Sequence, residues 1–203
     1  MLDNLVVDRI IYVRHGETPW NVSGRLQGQR DIPLDPAGRE QAAAAGASVK
    51  TYLGADFDRT MASTAIWCSP LLRTRETMEI ALGAMGEAGR PFAMDDRLKE
   101  ISFGDWEGMM WSEVDRIDPT AEARRARDKW GFVPPGGESY AQLVERIKPF
   151  FEALSGDALV VSHGGVARAL MNLIGGLPGD EAAIAEIHQG RVLIFEGDRY
   201  YWI

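Results

Sequence analysis

Cysteine is nearly missing from this sequence. The single residue Cys68 excludes an intramolecular disulfide framework and a cysteine-rich zinc site. Histidine is almost as scarce, at three residues. Positive charge is in deficit: 22 Lys and Arg stand against 30 Asp and Glu, a formal net charge of −8. Nucleic acid and anionic membrane are gripped by dense positive fields, so neither is expected as a main partner. A local cluster of Arg in a cleft can still dominate the field there and hold a small anion. No apolar run reaches the length of a membrane span. The first residues carry Asp3 and Asp8 where a secretion signal would carry basic side chains, which leads us to expect a cytoplasmic protein. Repeats and low-complexity tracts are also lacking.

What is present suits one ordinary globular domain. At 203 residues and 45% hydrophobic content, the chain is long enough for one substantial core and short for two. Arg9–Val13 (apolar from Ile10 on), Ala65–Cys68 and Ala158–Val161 carry continuous apolar runs, the pattern of strands buried on both faces. Helices separate them. Asp35-Pro36 supplies an N-cap and a first-turn proline, after which Ala42, Ala45, Val49 and Leu53 recur at helical spacing. A second helix is expected to start at Ser69-Pro70 by the same signal. A third spans about Glu138 to Leu154, with Tyr140, Leu143, Val144, Ile147, Phe151 and Leu154 on one stripe and Pro149 as a kink or weak point. A fourth follows Gly165, with Val166, Leu170 and Leu173 facing the core. Val192–Phe195 and Tyr200–Ile203 flank Glu196-Gly197-Asp198 as a terminal hairpin. The expected fold is a three-layer α/β/α sandwich, a doubly wound and mostly parallel sheet with an antiparallel edge. Residues 104–137, rich in Trp and Arg and closed by Pro134-Pro135-Gly136-Gly137, form an expected helical cap over that sheet.

In open parallel sheets, ligands bind beyond the carboxyl ends of the strands. Three strands here end in polar residues of unusual kind. The first runs into Arg14-His15-Gly16-Glu17-Thr18, the second into Ser69-Pro70 and a helix carrying Arg73, and a later one into Ser162-His163-Gly164-Gly165. Parallel packing would bring two histidines and two arginines to one edge. A lone His is more often packed or superficial, and His188, in a loop, is read that way. Arg73 lies in a first helical turn, where the helix dipole disfavours a cation unless an anion sits nearby. Gly164-Gly165 at a helix start lets backbone N–H groups approach a phosphate. A metal site built on His15, His163 and a carboxylate is the competing reading; flanking arginines would repel a divalent cation, so phosphate is the better guest.

These residues resemble the motifs of the histidine phosphatase superfamily, the phosphoglycerate-mutase-like enzymes. Arg14-His15-Gly16-Glu17-Thr18 with Trp20-Asn21 looks like its nucleophile motif, and Ser69-Pro70-Leu71-Leu72-Arg73 with Thr77 its second arginine motif. Leu98-Lys99-Glu100 with Phe103-Gly104-Asp105-Trp106-Glu107-Gly108 is similar to its acid–base segment, and Ser162-His163-Gly164-Gly165 to its second histidine motif. The resemblance implies that His15 attacks phosphorus as a neutral imidazole. Arg14, Arg73 and His163 would hold the phosphoryl oxygens, with Asn21 and the Gly164 backbone as further contacts. Glu100, partly buried beside the phosphate, would protonate the leaving oxygen and later accept a proton from water. No metal or other cofactor is implied, and the partner is a small phosphorylated metabolite.

The same family contains hydrolases and mutases. Three features lean toward hydrolysis: a compact chain, Phe103 where mutases carry a Tyr, and a Phe103–Gly108 and Gly136–Ser139 pattern like the metabolite phosphatases. Arg124-Arg125 resembles a substrate-gripping pair in mutases, but is read here as the solvated face of a cap helix. A non-catalytic phospholigand-binding protein would be expected to lose His15 or Glu100, and both remain.

Overall fold

The computed structural model describes residues 6–203; the first five residues of the acidic start lie outside the described residues. The strands are β1 (Val6–Arg14), β2 (Ala65–Cys68), β3 (Ala93–Met94), β4 (Ser155–Ser162), β5 (Val192–Glu196) and β6 (Arg199–Trp202). The helices are α1 (Pro19–Val22), α2 (Pro36–Leu53), α3 (Phe57–Ser63), α4 (Leu72–Met85), α5 (Trp111–Ile117), α6 (Ala121–Arg127), α7 (Tyr140–Glu152), α8 (Gly164–Leu173) and α9 (Gly179–Ile184). None of them is long and apolar enough to cross a membrane.

The strands form one sheet in the order β3-β2-β4-β1-β5-β6. β3, β2, β4 and β1 run parallel, and β5 and β6 close one side antiparallel, as the terminal hairpin pattern implied. Continuous apolar strands are explained by cover on both faces. Ile10 and Tyr12 of β1 join a cluster with Leu143, Ile147, Phe151, Val166 and Leu170 beneath α7 and α8. Their neighbours Ile11 and Val13 join Ala45, Val49, Met78 and Leu82 beneath α2 and α4. Successive side chains of a strand leave opposite faces, so an unbroken apolar run fills two cores at once.

Local signals set several helix starts. Asp35 accepts from Gly38 N at 2.7 Å to cap α2, and Ser139 with Gln142 forms a reciprocal capping box on α7. Pro149 sits exposed in α7, which runs on three residues to Glu152. The start expected at Ser69-Pro70 moves to Leu72, because Ser69 is engaged elsewhere; the free Leu72 N–H is met by Asp31 from a different loop. The 104–137 stretch folds as a short turn (Gly104–Trp106) followed by α5 and α6. Its small cluster joins Trp106, Val114 and Ala121 to Leu26, with Trp111 and Phe132 packed alongside. Trp106 lies 5.8 Å from Phe132 and 5.9 Å from Trp111, and Trp130 stacks on Tyr140 at 5.5 Å, so these aromatic side chains largely pack against one another.

Candidate active site

Strand register decides which residues meet. Arg14 of β1 pairs with Ser162 of β4, and Cys68 of β2 pairs with Val161 of β4. The next residues on these chains are therefore neighbours at the carboxyl edge: His15, His163 and Ser69. The ladder extends past the strand ends, with His15 N donating to Ser162 O at 2.9 Å and Ser69 N to Val161 O at 3.0 Å. His15 and His163 approach with ring centroids 5.2 Å apart. A separation onto different sides of the molecule, which would have undone the sequence reading, does not occur.

His15 is 2% exposed. Its Nδ1 lies 2.7 Å from the Gly16 carbonyl oxygen, which can only accept, so Nδ1 carries the hydrogen and Nε2 keeps its lone pair. Burial, then the charges of Arg73 and Arg14, hold the imidazole well below its usual 6.5. The turn that presents it packs directly on α2: a Cβ on Gly16 would stand 2.1 Å from Gly38 O, and one on Gly38 2.1 Å from Glu17 O. Only two glycines allow that approach.

His163 is fully buried behind this site rather than on its wall. Its backbone is held by Tyr12, whose hydroxyl donates to His163 O at 2.6 Å. Its Nε2 lies 2.8 Å from Ser69 Oγ, which is why Ser69 does not cap α4. Its Nδ1 is buried without a partner. Burial and the charges of Arg73, His15 and Arg14 hold this imidazole, too, well below 6.5.

The two arginines are anchored by carbonyl oxygens. Arg73, fully buried, donates through Nη1 to Arg30 O at 2.7 Å and through Nη2 to Gly28 O at 2.8 Å. Arg14 Nη1 donates to Ile187 O at 2.6 Å. Carbonyls orient a guanidinium without cancelling its charge, and the Nε of both residues is buried without a partner. Burial lowers both guanidinium pKa values, that of Arg73 to about 10.

Around them lies a pocket of about 200 Å³, walled by Arg14, His15, Asn21, Arg73 and Glu100 from the sequence reading. Asn21 accepts through Oδ1 from Thr18 and from Gln189 Nε2, which leaves the donor end of its amide for the pocket. Glu100 is half-buried, as expected, and its Oε1 accepts from Ile101 N and Gly165 N, each at 2.9 Å. Gly165, not Gly164, lines the wall. Gly164 sits to one side, its Cβ position 3.4 Å from Arg14 Nε, and a Cβ on Gly165 would meet Glu100 Oε1 at 2.2 Å. His188 lies apart, its ring 5.0 Å from that of Trp202. Among the described residues no group of three or more His, Cys, Asp or Glu side chains is placed to hold a metal ion.

Several wall residues went unseen in the sequence. Arg25, Gln27, Tyr140 and Arg168 complete the pocket. Arg168 had a readable signal: it follows Gly164 by four residues and so shares the helix face that looks over the strand edge. A narrow annex walled by Ile101, Phe103 and Tyr140 leads on to Arg125 and Lys129. Arg124 is the solvated, Asp118-paired residue expected of a cap helix, whereas Arg125 turns inward over the Trp111 ring at 4.9 Å.

Comparison with known proteins gives the same answer as the geometry. The family described as the histidine phosphatase superfamily (branch 1) matches residues 10–203. A glucosyl-3-phosphoglycerate phosphatase of Mycolicibacterium vanbaalenii is 35% identical over 86% of this chain and 77% of its own length. A 2,3-bisphosphoglycerate-dependent phosphoglycerate mutase of Mesorhizobium japonicum is 28% identical over 92% of this chain and 91% of its own. With a mutase covered so fully, the compactness of this chain does not separate hydrolases from mutases. Among solved structures, a Thermus thermophilus protein shares 34% identity at a TM-score of 0.68, covering 93% of this chain and 92% of that one. A mycobacterial glucosyl-3-phosphoglycerate phosphatase shares 26% identity at 0.76, covering 96% of each. Motif order, strand-edge geometry and a match running from β1 to the last residue agree: the chain belongs to the histidine phosphatase superfamily.

Proposed function

We propose that this protein hydrolyses a small phosphomonoester through a phosphohistidine formed on His15. The observation that carries this reading is the His15 ring, fixed by Gly16 O with Nε2 unprotonated, next to two anchored guanidinium groups. Nε2 attacks phosphorus as the ester P–O bond breaks, and the Glu100 carboxyl gives its proton to the departing oxygen. Charge on the phosphoryl oxygens is met by Arg14, Arg73 and the Asn21 amide, with His163 packed against the His15 ring behind them; the unpartnered Arg14 Nε and Arg73 Nε are donors such an anion would satisfy. Water then attacks the phosphohistidine, Glu100 takes its proton, and the P–N electron pair returns to Nε2. The arginines supply the charge that a metal would otherwise bring, and Gly164 contributes through backbone placement beside Arg14.

A substrate with a second anionic group fits the rest of the cleft. Burial, then the neighbouring charges of Arg125 and Arg168, brings the Lys129 ammonium down to about 8, and burial with Arg168 nearby lowers Arg125 as well. Three cations facing each other favour a carboxylate or second phosphate, in keeping with the phosphoglycerate-derived compounds in the relatives' names. A mutase is the second reading, favoured by those relatives; Phe103, without a hydroxyl, favours hydrolysis. One assay tests both. With phosphorylated acids as substrates, release of inorganic phosphate that is insensitive to EDTA and lost in His15→Ala supports the phosphatase. Isomer formation from 3-phosphoglycerate with bisphosphoglycerate, without free phosphate, would replace it with the mutase.

A further inference from the structure

Residues 97–100 carry the acid–base carboxyl but belong to no long helix and no strand. Their carbonyl oxygens need partners from elsewhere. All of them are met by side chains. Arg146 of α7 donates through Nη1 to Arg97 O and to Lys99 O at 3.0 Å, and through Nη2 to Glu100 O at 3.1 Å. Ser162 Oγ donates to Leu98 O at 2.7 Å, and Gln29 Nε2 reaches Glu100 O from the opposite side at 3.1 Å. Arg146 is itself fixed: its Nε and Nη2 pair with the two Glu138 oxygens, both at 2.8 Å. Both partners are largely shielded, at 23% and 15% side-chain exposure, so the pair is held in one geometry rather than waving in solvent.

We propose that Arg146, braced by Glu138, is a positioning residue for proton transfer: its planar fork sets where the Glu100 carboxyl stands relative to the leaving oxygen. This rests on the phosphatase reading. Arg146 is not among the residues that wall the pocket, so it reaches the Glu100 carboxyl through the backbone of residues 97–100 rather than by touching substrate. The fork is what Lys cannot reproduce, since one ammonium on a flexible stem cannot hold the carbonyls and the carboxylate together. A bare Arg146→Met change would leave the Glu138 carboxylate shielded and unpaired, so Arg146→Met with Glu138→Gln is the cleaner variant.

Proton donation matters most for poor leaving groups, which gives a readout that a merely structural role would not move. kcat/KM reports the steps up to phosphoryl transfer, and it should be measured on an alkyl phosphate and on 4-nitrophenyl phosphate. Competitive inhibition by inorganic phosphate tracks the anion site. In the double variant, kcat/KM for the alkyl phosphate should fall by about tenfold to 100-fold, the scale of a misplaced catalytic group. The aryl phosphate and the inhibition constant should change little, and Glu100→Gln should show the same selectivity. Arg146→Lys should behave like the double variant rather than like the wild type. If the double variant does not fold, Gln29→Ala carries the test, with the same selectivity and a smaller loss. A parallel fall on both substrates, or no change on either, overturns the proposal. Failure of the phosphatase reading would look different: phosphate release surviving in His15→Ala, or absent in the wild type.

Discussion

The strand edge and the cap hold their arginines in opposite ways. At the edge, Arg14 and Arg73 are buried or nearly so and tied to backbone carbonyls of Ile187, Gly28 and Arg30. In the cap, Arg124 pairs with Asp118 near the surface, and Arg125 lies over an indole ring that is itself half-buried. The supporting cores differ as much. The edge stands on two large apolar clusters, one on each face of the sheet, whereas the cap gathers around Leu26, Trp106, Val114 and Ala121. Charges fixed on a rigid sheet edge suit a transition state common to all substrates. Charges on a lightly packed cap suit the part of the ligand that varies.

That contrast can be broken by substitution. The largest effect is expected at the edge: Arg73→Met should lower kcat/KM by about 10²–10³-fold on every phosphomonoester tested, as for loss of one transition-state donor. A loss confined to one substrate would erase the distinction. Next comes Gly165→Ala, whose new methyl would occupy the place of Glu100 Oε1. A drop of about 100-fold is expected, and it should be larger for alkyl than for aryl phosphates. In the cap, Arg125→Ala or Lys129→Ala should raise KM about tenfold for a phosphate ester bearing a second anionic group, and hardly touch 4-nitrophenyl phosphate. Equal effects on both would remove the cap from substrate choice.

A further effect, on stability rather than on activity, appears in acid. His15 and His163 are held neutral below 6.5, so below that value the unfolded chain binds protons that the folded chain does not. Stability then rises with pH and is lost progressively as pH falls from 6.5 toward the depressed folded values, by about 1.4 kcal/mol per pH unit for each proton. Denaturant midpoints between pH 7 and pH 5 would measure it, and His163→Gln should shallow the slope. The activity profile sharpens the same point. Because Arg73 helps hold His15 neutral, Arg73→Met should move the acid limb of kcat/KM upward in pH.

Much of the sheet edge is legible in the sequence. Continuous apolar runs marked β1, β2 and β4, and the residues following them marked the site, because strand ends and helix starts are local facts. The β5–β6 hairpin and the Asp35 and Ser139 caps were local too. What escaped depends on contacts distant in sequence. Ser69 reads as a helix cap until His163, 94 positions away, claims its hydroxyl. Gly164 and Gly165 read alike, yet one faces Arg14 and the other Glu100. Arg125 turned inward where the sequence suggested a solvated face, because Trp111 offers it a ring to cover. Arg146 carried no motif signal at all, since its partners are carbonyls that any sequence would present.

The central claim is a covalent bond between phosphorus and one imidazole nitrogen. The direct measurement is to mix the Glu100→Gln variant with 4-nitrophenyl phosphate carrying radioactive phosphorus, whose leaving group needs little protonation, quench in alkali and map the label by peptide. The account predicts an acid-labile, alkali-stable label on the peptide containing His15, absent from His15→Ala. Phosphate release with no label on that peptide, or with the label on another residue, would contradict it.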